Sequence, residues 1–246
     1  MNENDYKLAV AEWRKYRSDY YLITQLITQT NQIFELSKEQ IDKIKEKNNY
    51  PDLCAEVGVF EGCMVLIFLP LDETGHIDKS VVEYQYTKLQ VFKQNIRLQE
   101  TKEFTIVKNA VLSSDLAKID DNTNTNLPVT NQPILDQDIA VEAIERWKNE
   151  GMEWFFRECT EFGGERIFKR FYIPMADLSH PYPEVTGIKC SFGLKYNDIY
   201  QRMLVTVIFI SFHQLLQDGE STETISNTYD WAKPCPPVCR IPELGF

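Results

Sequence analysis

The sequence predicts an α+β fold of two pseudo-repeated halves, each running helix, strand, short helix and antiparallel hairpin, with antiparallel sheets covered by helices. Three observations predict it. The stretch Leu53 to Leu71 returns as an echo at Ile188 to Phe212, an alternating run followed each time by a continuous apolar run. Gly58 and Gly193 fall at the same place on the polar face of the alternating run, 135 residues apart. Upstream, Glu12-Trp13-Arg14-Lys15 resembles Arg146-Trp147-Lys148, and Phe34-x-Leu36 resembles Phe171-x-Ile173, at offsets of 134 and 137. Matches at a nearly constant offset point to an internal duplication, and two copies are too few for a solenoid.

Taken in order, Val10, Trp13, Tyr16, Tyr20, Ile23 and Ile27 keep helical spacing and predict one long amphipathic helix from Asp5 to about Thr28. A short strand over Ile33 to Leu36 follows. Ser37-x-x-Gln40 is a capping box that starts a helix reaching about Lys47, which Asn48-Asn49-Tyr50-Pro51 ends. Leu53, Ala55, Val57 and Val59 alternate with Cys54, Glu56 and Gly58, the period of a half-buried strand. Phe60-Glu61-Gly62 makes the turn, and the apolar Cys63 to Leu71 predicts a strand covered on both faces. Asp78 is placed to cap a further helix, with Val82, Tyr86, Leu89, Phe92 or Lys93, and Ile96 as its stripe, ending near Gln99. Phe104 to Leu112 reads equally as strand or helix.

Domain bounds follow from composition. The first half spans 1–117, and the polar, unpatterned residues 118–137 form the linker. The second half, 138–228, opens on a helix capped by Asp136 or Asp138, with Ile139, Ala143, Ile144 and Trp147 inward and an interruption at Gly151. Gly163-Gly164 is a turn, Ile167 to Ile173 a strand, and Pro174 to Leu178 a turn in place of the short helix. The second hairpin runs through Ile188 to Phe212. A proline- and cysteine-bearing tail, 229–246, is expected to pack on the body, since Tyr229, Trp231 and Val238 favour burial and three prolines lower the entropy lost on ordering.

The balance of 26 basic against 37 acidic residues, −11 in all, argues against a general nucleic-acid or anionic-membrane surface. Arg166, Lys169 and Arg170 are the best local basic patch, read as a solvated strand flank. No h-region follows the polar Met1 to Asp5, and no apolar run reaches the roughly 18 to 20 residues that span a bilayer. A cytoplasmic location is expected, and with it six cysteine thiols at 54, 63, 159, 190, 235 and 239.

No constellation of catalytic, cofactor-binding or metal-binding residues stands out. Cys235 and Cys239 supply half a zinc set at most, and His76, His180 and His213 lie at no ligand spacing. The two cysteines remain open between thiols, a disulfide and metal ligands. Cys159 beside His180 could be drawn as a thiol site, but it shares an apolar face with Phe155 and Phe156. Glu56 and Glu61 read as surface charges on a hairpin. Gly-x-Ser-x-Gly, Walker and Gly-x-Gly-x-x-Gly signatures are all missing from the sequence.

The run Tyr229-Asp230-Trp231, two residues, then Pro-Cys-Pro-Pro-x-Cys to Cys239 resembles the tail of a set of small bacterial proteins with no assigned activity. Phe171 to Leu178, Phe-x-Ile-Pro-x-x-Asp-Leu, and the alternating Ile188 to Tyr196 resemble their strands. The resemblance covers roughly the last third of the chain and implies a shared fold, with no site residues. The expectation is therefore a non-catalytic interaction or structural module whose partner is another protein or a second copy, with no cofactor, nucleic acid or membrane. The alternative is an enzyme of unrecognised class with its site between the halves, where Gly58 and Gly193 would admit a ligand.

Overall fold

The computed structural model describes residues 1–27, 31–92, 98–99, 104–112, 114, 118–128, 137–178, 185–215, 222–229 and 233–237. The first helical segment is two helices, α1 (Glu3–Tyr16) and α2 (Tyr20–Leu26), where periodicity alone predicted one. Asp19 makes the break by capping α2, accepting from the amide of Tyr21 at 2.8 Å. Strand β1 (Gln32–Ser37) leads directly into α3 (Lys38–Lys47), and both hydrogen bonds of the Ser37–Gln40 capping box form. The hairpin of β2 (Asp52–Phe60) and β3 (Cys63–Leu69) turns on Glu61 and Gly62, both at positive φ.

The helix expected from Asp78 does not form. That segment supplies β4 (Gln85–Lys88) and β5 (Gln90–Val91), then β6 (Leu98–Gln99). β4 pairs with β3 and β5 with β1, so tertiary edge pairing overrides the helical spacing of Val82, Tyr86 and Leu89. Val82 is 68% exposed. Phe104–Leu112 is a strand, β7, and it pairs with β8 (Lys118–Pro128), so most of the expected linker is the second strand of a two-stranded sheet. Residues 129–136 lie outside the described residues. The helix α4 (Gln137–Phe162) runs unbroken through Gly151, a position that lies under the Trp147 ring, where a Cβ would come within 2.9 Å of the indole.

The remaining elements are β9 (Arg170–Pro174), a 3₁₀ turn (Met175–Leu178), the hairpin β10 (Val185–Asn197) and β11 (Arg202–Leu215), β12 (Thr222–Tyr229) and β13 (Lys233–Cys235). One sheet has the order β13-β9-β2-β3-β4 and the other β5-β1-β10-β11-β12-β6. Only the β12–β6 pairing among these is parallel. The strands cross the predicted boundary between halves: β1 adds to β10, and β9 adds to β2. Their registers correspond, with Phe34 opposite Cys190 and Leu36 opposite Ile188, against Phe171 opposite Ala55 and Ile173 opposite Leu53.

The inner faces of the two sheets share one core. Leu53, Ala55, Val57, Leu66, Phe68 and Phe171 from one sheet meet Phe34, Cys190, Phe192, Val207 and Phe209 from the other. Phe168 joins them, its ring 5.3 Å from that of Phe192. The outer faces are covered by helices. Ala9 of α1 packs with Val65 and Ile67, and Ala140 and Ala143 of α4 pack with Ile208 and Ile210. β2, expected to be half-buried, is therefore buried along all but its ends, since α1 covers the face that carries Glu56 and Gly58. Trp13 and Trp147, each four residues after the packed alanine, reach round into the central core.

Of the expected tail, the described residues are Tyr229, at the end of β12, and 233–237. β13 forms the sheet edge beside β9, Pro234 opposite Phe171, with Pro234 and Cys235 buried. An edge strand tolerates a proline because its outward amide has no ladder to serve. Trp231, Val238 and Cys239 lie outside the described residues.

Candidate binding cleft

The two sheets come apart at one corner. β4 and β5 are consecutive in the chain yet pair with different sheets, so β1 and β4 diverge beyond Ile33. A side chain bridges the gap where a ladder would otherwise run: the buried Thr87 hydroxyl donates to Glu35 O at 2.6 Å and accepts from Glu35 N at 3.2 Å. Gln40, in the first turn of α3, donates to Tyr86 O at 3.0 Å while its oxygen accepts from the Ser37 amide. These bonds satisfy polar backbone groups that the parting strands would otherwise bury unpaired.

The opening is a cleft of about 660 Å³ lined by residues 35–37, 40, 86–88, 90 and 187–189. That volume lies within the range of small-ligand sites. Glu35 is its central acid, accepting from Gln90 Nε2 at 2.7 Å and standing 3.8 Å from Lys189 Nζ. The Lys189 ammonium is 5.2 Å from the Phe92 ring centroid. Lys88 bonds Glu61 at 2.5 Å on the rim. The lining thus offers amides, hydroxyls, one carboxylate and two ammonium groups, and contains no histidine or cysteine to act as a base or thiol nucleophile. Sequence inspection missed it because its walls come from three separated segments.

The residues weighed from sequence lie elsewhere. Glu56 is a correction: it is 4% exposed, because α1 lies over it, and its carboxylate accepts from Tyr6 Oη at 2.6 Å and from Arg170 Nη2 at 3.1 Å. Burial, and then the Glu56 carboxylate, push the Tyr6 phenol well above the ordinary tyrosine value. Arg170 is therefore drawn inward, and Arg166 is likewise bound, to Glu158 at 3.1 Å. With Lys169 between them the three basic residues do not make an open patch.

The Cys159 thiol donates to Arg17 O at 3.5 Å and is pushed up to about 11, chiefly by burial, with Asp19 and Glu158 adding to it. His180 lies outside the described residues. His76 bonds Thr74 in an exposed loop, and His213 sits in β11 opposite Val185 and Thr224. Cys54, Cys63, Cys159 and Cys190 form no disulfide, but Cys235 is disulfide-bonded, which corrects the expectation of thiols throughout.

A second buried polar group was not anticipated. Trp154, Glu158 and Phe162 recur every fourth residue on α4, and Glu158 is 6% exposed where it interrupts that apolar stripe. A charge inside an apolar stripe is the signal that could have found it. The chain matches no family model, no curated protein and no solved structure.

Proposed function

We propose that this chain is a non-catalytic interaction module, made by internal duplication, whose cleft between β1 and β4 receives a polar segment of a partner protein or of a second copy. One observation carries the reading: a cleft that draws its walls from both halves is lined by paired hydrogen-bonding groups and charges, with no histidine or cysteine among the lining residues. Gln40, Gln90 and Thr87 already serve as intramolecular clasps, and the same groups suit exchange with a partner's main chain. The net charge of −11 disfavours a nucleic-acid partner. A duplication is supported by the corresponding registers of β1 on β10 and β9 on β2.

A cytoplasmic location belongs to the same reading. Among the described residues four cysteines outside any disulfide favour it, and the Cys235 disulfide runs against it.

The test is affinity capture followed by reconstitution with the purified partner. Lys88→Glu and Gln90→Ala are expected to weaken the complex, while Lys7→Ala, on the exposed face of α1, leaves it intact. Turnover of a small molecule that these cleft substitutions abolish would overturn the reading.

A further inference from the structure

The hairpin β10–β11 differs from β2–β3 at its tip. Where the first turns on two residues, the second turns on 198–201 and carries an exposed apolar group: Tyr196 is 52%, Ile199 85% and Tyr200 40% exposed. The turn is built, since Asn197 Oδ1 accepts from the amides of Ile199 at 3.0 Å and Tyr200 at 3.1 Å, and Tyr196 Oη donates to Gln201 at 3.0 Å. Ile199 is thus held out to solvent by an ordered turn with Tyr196 and Tyr200 exposed beside it, and clustered apolar exposure of this kind marks interaction sites.

Beside the tip lies the α4 stripe. Trp154 Nε1 donates to Met203 O at 3.2 Å, which fixes α4 against the start of β11. The Arg166 guanidinium stacks 3.6 Å over Phe162 and donates to Glu158 Oε1. Three buried atoms there have no hydrogen-bond partner: Glu158 Oε2, Arg166 Nε and Arg202 Nε. Among the described residues the Arg202 guanidinium makes no hydrogen bond or ion pair, although Glu158 lies near enough to act on its charge. Two guanidinium groups, Arg166 and Arg202, thus stand near one buried carboxylate, Glu158, which forms its ion pair with Arg166. Burial and the like charge of Arg166 hold the Arg202 guanidinium below its ordinary value, against the opposing pull of the Glu158 carboxylate.

We propose that this end of the molecule docks a partner-protein segment that presents a carboxylate side chain between apolar residues, the carboxylate to Arg202 and the apolar groups to Ile199, Tyr200 and Phe162. Tyr and Arg at a desolvated centre are the residue types that dominate binding energy at protein interfaces. The surface is separate from the cleft: Gly187 and Asn197 stand at opposite ends of β10, about 33 Å apart at about 3.3 Å per residue.

The test is selection of random dodecapeptides, displayed on phage, against the full chain, followed by binding of the synthetic winners. The expected winners carry Asp or Glu beside Leu, Ile or Phe. Arg202→Gln, Ile199→Ser and replacement of the peptide's acid by its amide should each weaken binding at least tenfold. Ile199→Ser, at an exposed position, should leave the melting temperature unchanged, which keeps the test valid if Arg202→Gln folds poorly. Winners whose binding ignores both Ile199→Ser and the loss of the peptide's acid would overturn the proposal. So would a dimer in sedimentation velocity that Ile199→Ser abolishes, which assigns the surface to a second copy, or binding to phosphatidylserine vesicles that needs Ile199, which assigns it to lipid.

Discussion

The Cβ of Ala9 stands 2.9 Å from the point where a side chain on Gly58 would begin, so α1 lies on β2 with no room for even a methyl group. The other sheet repeats the relationship more loosely, with Ala143 at 3.3 Å from the same point on Gly193 and the flexible end of Ile208 at 2.6 Å. Gly58→Ala is expected to cost about 1–3 kcal/mol, since backbone and Cβ of α1 must give way, and Gly193→Ala less, since Ile208 can rotate. In the double variant Ala9→Gly/Gly58→Ala the two changes should couple favourably. Urea unfolding checks both, and equal costs at the two glycines would contradict the packing argument.

Gly164 has φ +74°, and a Cβ on it would lie 1.9 Å from the carbonyl oxygen of Arg17. Gly163 has φ +58° with nothing within 4 Å. Gly163→Ala should therefore cost only the left-handed backbone penalty of about 1–2 kcal/mol. Gly164→Ala should cost clearly more, because it also pushes Arg17 off the carbonyl of residue 164, to which its guanidinium donates at 3.0 Å. Thermal unfolding of the pair gives the comparison.

Glu56 is the shared acceptor for Tyr6 and Arg170 beneath α1. Glu56→Ala should destabilise by about 3 kcal/mol, because it removes the carboxylate from two groups held out of water. Glu56→Gln, which retains an acceptor oxygen, should cost less. A loss below about 1 kcal/mol in the alanine variant would mean that water serves these groups equally well.

Burial raises the Glu158 carboxyl above its ordinary 4.5, against the opposing pull of Arg166. A raised folded value means the folded state holds the proton more tightly than the unfolded chain. The contribution of Glu158 to stability is thus fully present below 4.5 and is lost as pH rises through the raised value. In Glu158→Gln this dependence should vanish, so the melting temperature of the parent relative to the variant should climb as pH falls toward 4.5. A constant difference across that window would show that the carboxylate stays charged in the fold.

Local chemistry made part of the fold legible. The Ser37–Gln40 capping box, the Glu61-Gly62 turn and the alternation in β2 and β10 each depend on residues a few positions apart, and each appears where expected. The errors occur where distant pairing decides. Residues 85–91 have helical spacing but fill two open sheet edges, and 118–128 lack any pattern yet pair with 104–112. Asp19 was a readable cap overlooked within a continuous stripe. The cleft and the Glu158 cluster depend on segments brought together only by the sheets, so neither could be composed from spacing. The expectation of a surface charge at Glu56 failed because an acid in phase with a helix-contacting glycine sits under that helix.

The exchange of β1 and β9 between sheets has a consequence on the ribosome. Asp52, where β2 begins, is made 118 residues before Arg170, where its partner β9 begins. At about 5–20 residues per second, the nascent chain holds an apolar hairpin with one bare edge for roughly 6–24 s. β1 waits longer still for β10. A ribosome stalled in the 118–128 region would release a product whose β2 edge is open to other chains, so premature termination there should yield aggregates, not a smaller folded protein.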